Sequence, residues 1–178
     1  MKRPHVVLLV ATLGFGLAGV MANHLFSPPG PQRGNVEEVR VAQVWSAKLA
    51  DLAGNEQSFG QWQGKVLVLN FWAPWCPPCR KEMPGFIRLQ EKYAGQGLQF
   101  VGVALDEADK VQAFMDEIGV NYPVLMGEMD AVMLGRAAGN RLGGLPYTLI
   151  LDKQGTPIAT LTGGIDEARL EELVKPLL

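Results

Sequence analysis

Two cysteines stand three residues apart in the run Asn70-Phe71-Trp72-Ala73-Pro74-Trp75-Cys76-Pro77-Pro78-Cys79-Arg80, and the chain has no others. A buried-strand pattern ends just before them and a helical pattern begins at them. A helix N-terminus carries unpaired backbone N–H groups and a partial positive charge. Such a place stabilises a thiolate, the nucleophilic form of cysteine. Residues three apart on a helix are neighbours, so the pair can also close into a disulfide. The chemistry that suits this spacing is reversible dithiol–disulfide exchange. A purely structural bridge fits less well, because so short a loop restrains little of the unfolded chain. Zinc wants four protein ligands, or three and a water. There is no second cysteine pair, and both histidines, His5 and His24, lie in or beside an N-terminal apolar segment. A copper carrier is short of ligands for the same reason, and Met115, Met126, Met129 and Met133 sit at irregular positions that read as core or loop. No metal and no organic cofactor is expected.

Alternating strands and helices must position this pair. Leu49–Asp51 and Gln57–Phe59 read as a short hairpin around Gly54-Asn55. Val66–Phe71 is a continuous apolar run rich in β-branched residues, which marks a strand buried on both faces. The following helix extends to about Tyr93, with Cys79, Met83, Phe86, Ile87 and Gln90 along one face, so the second cysteine points inward; Pro84 should kink it. Leu98–Leu105 is a second buried strand, Asp106–Ile118 a helix, Tyr122–Met126 a short strand weakened by Pro123, and Asp130–Ala138 a further helix. Tyr147–Leu151 and Pro157–Leu161 are strands joined by the turn Asp152-Lys153-Gln154-Gly155. A last helix covers Asp166–Leu177. Strand–helix–strand–helix followed by hairpin–helix implies an α/β sandwich with a mixed central sheet.

The chain has 178 residues, ample for one domain and short for two. Its net charge of −2, with no basic stripe, gives no sign of nucleic-acid binding. Lys2 and Arg3 precede an apolar run from Val6 to Ala22. This N-terminal 1–22 segment reads as a signal peptide or a membrane anchor, with Val20-Met21-Ala22 an unconvincing cleavage site. Basic residues stay on the cytoplasmic side, so the body is expected outside, in the periplasm or its extracytoplasmic equivalent, tethered to the membrane by residues 6–22 if that segment is an anchor. A Pro/Gly linker at 23–38 then leads to the domain at 39–178. Outside the cytoplasm, a lone dithiol is oxidised unless a donor keeps it reduced.

The stretch from Gly64 to Pro84, with Trp75-Cys76-Pro77-Pro78-Cys79 after a buried strand and Pro146 before a later one, resembles the TlpA/ResA branch of the thioredoxin superfamily. The likeness covers roughly Val39 to Leu178. It implies a thioredoxin-like three-layer sandwich with a mixed central β-sheet, an N-terminal hairpin and a central strand–helix insertion across Asp106–Gly143. It also implies roles. Cys76 would be the exposed attacking thiolate and Cys79 the buried resolving thiol. Pro146 would be a cis-proline facing the dithiol, with Leu145 pairing to an extended substrate segment. Glu82 matches the branch's Cys-x-x-Cys-x-x-Glu pattern. It would be a proton partner for Cys79 if buried, or a surface carboxylate beside Arg80 and Lys81 if not. Trp75 would line an apolar substrate patch, and Tyr147, standing where threonine is usual, would reshape the substrate groove. Trp72, Trp45 and Trp62 read as core. Asn70 replaces thioredoxin's buried aspartate.

The resemblance implies an exported, monomeric thiol–disulfide oxidoreductase that reduces protein disulfides and is reset by a membrane thiol–disulfide electron donor. Targets of this branch include the haem-attachment cysteines of apocytochrome c and thiols of an oxidase copper centre. The alternatives are the same chemistry reversed, as a dithiol oxidase; a peroxiredoxin-like antioxidant; and a redox-sensitive binding module. A peroxiredoxin wants Pro-x-x-x-Thr-x-x-Cys, whereas Ala73 and Pro74 precede Cys76. Pro77 and Pro78 lack N–H donors for the Cys76 sulfur, a mild argument for a reducing protein.

Overall fold

The computed structural model describes residues 32–178; the apolar 6–22 run, the start of the linker, His5 and His24 lie outside them. Eight strands form one mixed sheet in the order β1-β8-β7-β4-β5-β6-β2-β3. The strands are β1 (Gln32–Arg33), β2 (Lys48–Asp51), β3 (Glu56–Ser58), β4 (Val66–Trp72), β5 (Leu98–Ala104), β6 (Val124–Met126), β7 (Tyr147–Leu151) and β8 (Pro157–Thr162). The helices are α1 (Val41–Ser46), α2 (Pro77–Tyr93), α3 (Ala108–Ile118), α4 (Met129–Ala137) and α5 (Glu167–Val174). β4, β5 and β6 run parallel, β7 returns antiparallel beside β4, and β8 pairs antiparallel with the other edge of β7. The β2–β3 hairpin closes the far side, antiparallel to β6.

β4 is buried along its whole length, as a central parallel strand must be. Its alternate side chains supply two cores. Val66, Val68 and Trp72 meet α2, α3 and α5 through Phe86, Phe114 and Leu170. Leu67, Leu69 and Phe71 meet α1 and α4 through Val44 and Leu134. The result is the expected three-layer sandwich. Trp72 and Trp62 are core, and Trp45 is partly buried against the second cluster. Met129 and Met133 depart from the expectation of core or loop: both lie on the exposed face of α4.

The structured chain begins earlier than the composition implied. Residues 32–38 belong to the fold rather than to the linker. Gln32 and Arg33 pair with Thr162 and Leu161, and the Gly34 N–H donates to Thr160 O at 2.9 Å. Asn35 then caps a 3-10 turn by accepting from the Glu37 N–H at 3.0 Å. The open edge of β8 offers backbone groups that need partners, and a Gly/Pro count cannot register that need. α1 was also not expected. It is one short helix whose valines favour strand, held by burying Val44. α2 continues unbroken through Pro84, although that residue cannot donate back to the Arg80 carbonyl.

Phe86 is fully buried and stacks on Phe100 with ring centroids 5.1 Å apart, fixing α2 against β5. Truncation leaves a cavity there. Phe86→Ala is expected to lower unfolding stability by about 3–5 kcal/mol, measured by denaturant titration of the oxidised protein. A loss below about 1 kcal/mol would show that this contact does not anchor the helix.

Candidate functional site

β4 delivers the chain to the top of the sheet at Trp72, and Ala73–Trp75 turn it into α2. Cys76 is the N-cap residue, with extended backbone angles of φ −88° and ψ 108°. Pro77 and Pro78 fill the first helical positions, where a missing N–H costs no helical bond. The Arg80 N–H is taken by Cys76 O at 3.1 Å. Of the first four helical amides, that leaves only the N–H of Cys79 free to face the Cys76 sulfur.

Cys76 and Cys79 are joined in a disulfide, with Cα atoms 5.3 Å apart. Cys79 is fully buried, as expected. Cys76 is not exposed in this oxidised state: it retains only 3% of its accessible surface. The bond ties its sulfur to one that already sits in the core. The exposed group is its neighbour Trp75, which keeps 65% of its surface. Arg80 braces the turn. Its guanidinium lies 4.3 Å from the Phe114 ring centroid, pairs with Glu117 at 3.3 Å and reaches Pro74 O at 3.4 Å. The inserted α3 thereby holds the segment that precedes Cys76.

Glu82 follows one turn after Cys79 and is buried, only 4% exposed. Its Oε1 accepts from Asn70 Nδ2 at 3.0 Å and its Oε2 from the Ile165 N–H at 3.1 Å. Burial pushes its carboxyl up to about 8; the Ile165 and Asn70 donors oppose that shift and are outweighed. The group is therefore poised to take or give a proton near neutral pH. The Tyr122 phenol is held well above its usual range by burial and by the nearby Glu82 charge.

The Leu145–Pro146 bond is cis. Pro146 O accepts from the Gly163 N–H at 2.9 Å. The next residue, Gly164, presses its backbone on the dithiol motif: a Cβ there would lie 3.3 Å from Pro78 Cβ. Leu145, half-buried, packs against the cluster that contains both cysteines. In the loop before it, Asn140 accepts from the Gly144 N–H at 3.1 Å and donates to Gly144 O at 2.9 Å. The dithiol, Glu82, Leu145–Pro146 and the Gly163–Ile165 loop thus share one end of the sheet.

Tyr147 does not join them. Its ring lies on the opposite face of the sheet beside Phe71, buried, and its hydroxyl donates to Ala138 O at 2.8 Å. Strand alternation sends residue 147 away from the helix that carries the cysteines. A groove of about 1080 Å³ on that far side, bordered by Arg40, Asp130, Met133 and Arg136, holds none of the residues of the site. Sequence reasoning missed Asn70 and Thr148 as partners of Glu82. The signal was present, since a lone polar residue inside a buried strand requires a partner.

The chain matches the model of the AhpC/TSA family over residues 41–158. It is 33% identical over 132 residues to the thiol-disulfide oxidoreductase ResA of Geobacillus kaustophilus, covering 72% of this chain and 74% of that one. The corresponding protein of Halalkalibacterium halodurans is 35% identical over 132 residues, covering 72% and 73%. Among solved structures, a thiol:disulfide interchange protein of the thioredoxin family from Chlorobium tepidum superposes with a TM-score of 0.67 at 26% identity, covering 85% of this chain and 97% of that one.

The raised Glu82 carboxyl has a thermodynamic signature. Between about pH 4.5 and about 8 the native state keeps a proton that the unfolded chain has released. Stability therefore falls as pH rises through that window, by at most about 5 kcal/mol. Denaturation of the oxidised protein at a series of pH values should show this fall, and Glu82→Gln should flatten it. A slope unchanged in Glu82→Gln would contradict the assignment.

Proposed function

Because the chain belongs to the AhpC/TSA family and is a thiol–disulfide oxidoreductase of the ResA type, we propose that its Cys76–Cys79 pair reduces disulfides in exported proteins. The observation that carries this reading is a disulfide at a helix N-terminus with a buried, readily protonated carboxyl one turn further on.

In the proposed cycle, the thiolate of Cys76 attacks one sulfur of a substrate disulfide, and the other sulfur leaves as a thiolate. Cys79 loses its proton to Glu82 and attacks the Cys76 sulfur. The second substrate sulfur departs, so two electrons have passed to the substrate and the enzyme is left as the disulfide. Leu145 offers its backbone to an extended substrate segment beside Pro146, and Trp75 supplies an exposed apolar surface next to the reacting bond. Tyr147 contributes packing from behind the sheet, not a substrate contact.

The N-terminal sequence supports work outside the cytoplasm, with residues 6–22 as export signal or tether. There a membrane thiol–disulfide donor would reset the pair. Proteins with closely spaced cysteines awaiting haem attachment fit as substrates, since those cysteines must be reduced before they react.

Replacing Cys79 with Ser removes the resolving thiol. Mixed disulfides on Cys76 should then accumulate and identify the substrates, whereas Cys76→Ser should capture none. If Cys79→Ser captures no protein, the interchange mechanism fails. The direction of flow is set by the potential. A reducing protein should titrate nearer thioredoxin's value of roughly −270 mV than a dedicated oxidase's value of roughly −120 mV. A value at the oxidase end would reverse the assignment.

A further inference from the structure

Glu82 is gripped at both oxygens by neutral donors from different parts of the fold: Asn70 of β4 and the Ile165 backbone ahead of α5. Asn70 also donates to Thr148 Oγ1 at 3.1 Å, so its amide nitrogen serves two acceptors. Asn70 and Thr148 stand opposite each other in the β4–β7 ladder. Both are buried, Thr148 completely. The Asn70 Oδ1 has no hydrogen-bond partner among the described residues. An asparagine amide has two faces, and only the nitrogen face favours a carboxylate. Turned about, its oxygen would repel the ionised group.

We propose that Asn70 and Thr148 are positioning residues for the exchange reaction: Thr148 Oγ1 fixes the Asn70 amide with its nitrogen toward Glu82, and that N–H donor favours the ionised, proton-accepting form of the carboxyl. This rests on the reading of Glu82 as proton partner of Cys79. The Ile165 N–H and, after it, the Asn70 donor work against the larger effect of burial and bring the group back toward neutral pH. Other titratable groups around it are few. The Tyr122 phenol approaches from the segment before β6, and Cys79 lies one turn before it on α2. The Asp166 carboxylate, next after Ile165, accepts from the Arg169 N–H at 2.8 Å. β4 and β7 contribute the neutral Asn70 and Thr148.

Thr148 is also two residues after Pro146, whose carbonyl is held by Gly163 in the loop that supplies Ile165. The Leu145–Pro146 segment proposed to receive substrate is therefore linked to both donors to Glu82, through β7 to Asn70 and through the Gly163–Ile165 loop to Ile165.

The test follows resolution of a Cys76–glutathione mixed disulfide in the full chain as a function of pH. In this step Cys79 attacks Cys76, glutathione leaves as the thiolate, and the Cys79 proton passes to Glu82. Asn70→Ala should move the inflection assigned to Glu82 upward by roughly half to one pH unit, with a threefold to tenfold loss of rate at pH 7. Thr148→Val should move it the same way by less, and Thr148→Ser, which keeps the oxygen, should restore the wild-type inflection. If Glu82→Gln abolishes the inflection while Asn70→Ala and Thr148→Val, shown folded by near-UV circular dichroism, leave it unmoved, the positioning role is overturned and the Glu82 reading stands. If Glu82→Gln retains the inflection, the Glu82 reading falls and this inference with it.

Discussion

A carboxyl group removed from water must be neutral or be held by donors, and at Glu82 burial outweighs two donors yet leaves the group able to ionise near pH 8. Burial favours the protonated form, while the Asn70 amide and the Ile165 backbone N–H favour the ionised one. The three elements that meet at this carboxyl are the strand that leads to the dithiol, the helix that carries it, and the loop packed on the dithiol motif. Moving any of them changes the balance. The chemistry near the cysteines is therefore tied to the packing of the sheet rather than confined to a surface loop.

The cysteine pair has a complementary constraint. A helix N-terminus would ordinarily offer several amides to a thiolate, but two of the first positions are proline and the Arg80 N–H is committed to Cys76 O. Thiolate stabilisation at Cys76 is correspondingly limited. A less stabilised reduced form holds its electrons less tightly, in keeping with a donor of electrons to substrate. Arg80 adds rigidity by joining the turn to α3. The inserted segment thus does more than enlarge the fold.

Much of the fold and of the site is legible in the sequence. The unbroken apolar run of β4 announced a central strand, and the motif after it placed a helix start at Cys76. A helical spacing of apolar residues turned Cys79 inward, and resemblance placed a cis bond at Pro146; both are found. What stayed hidden depends on which face or edge a residue meets. Tyr147 lies in a strand buried on both faces, so burial alone did not say which face its ring would take. Its side chain went to the far side. β1 forms because the edge of β8 is open, a fact of topology and not of local composition. The burial of Glu82 depended on loops distant in sequence, since Ile165 lies on the other side of the β7–β8 hairpin. Asn70 looked like the loss of an acid; it is one of two donors that hold another acid, Glu82.

The central claim is that the Glu82 carboxyl titrates in the range where thiols exchange. Direct observation of its side-chain carbon by ¹³C NMR in the oxidised protein, where neither cysteine titrates, tests it most simply. A single transition near pH 8 is expected. A transition near pH 4.5, the range of an ordinary glutamate, would show that the group is ionised throughout and takes no proton from Cys79.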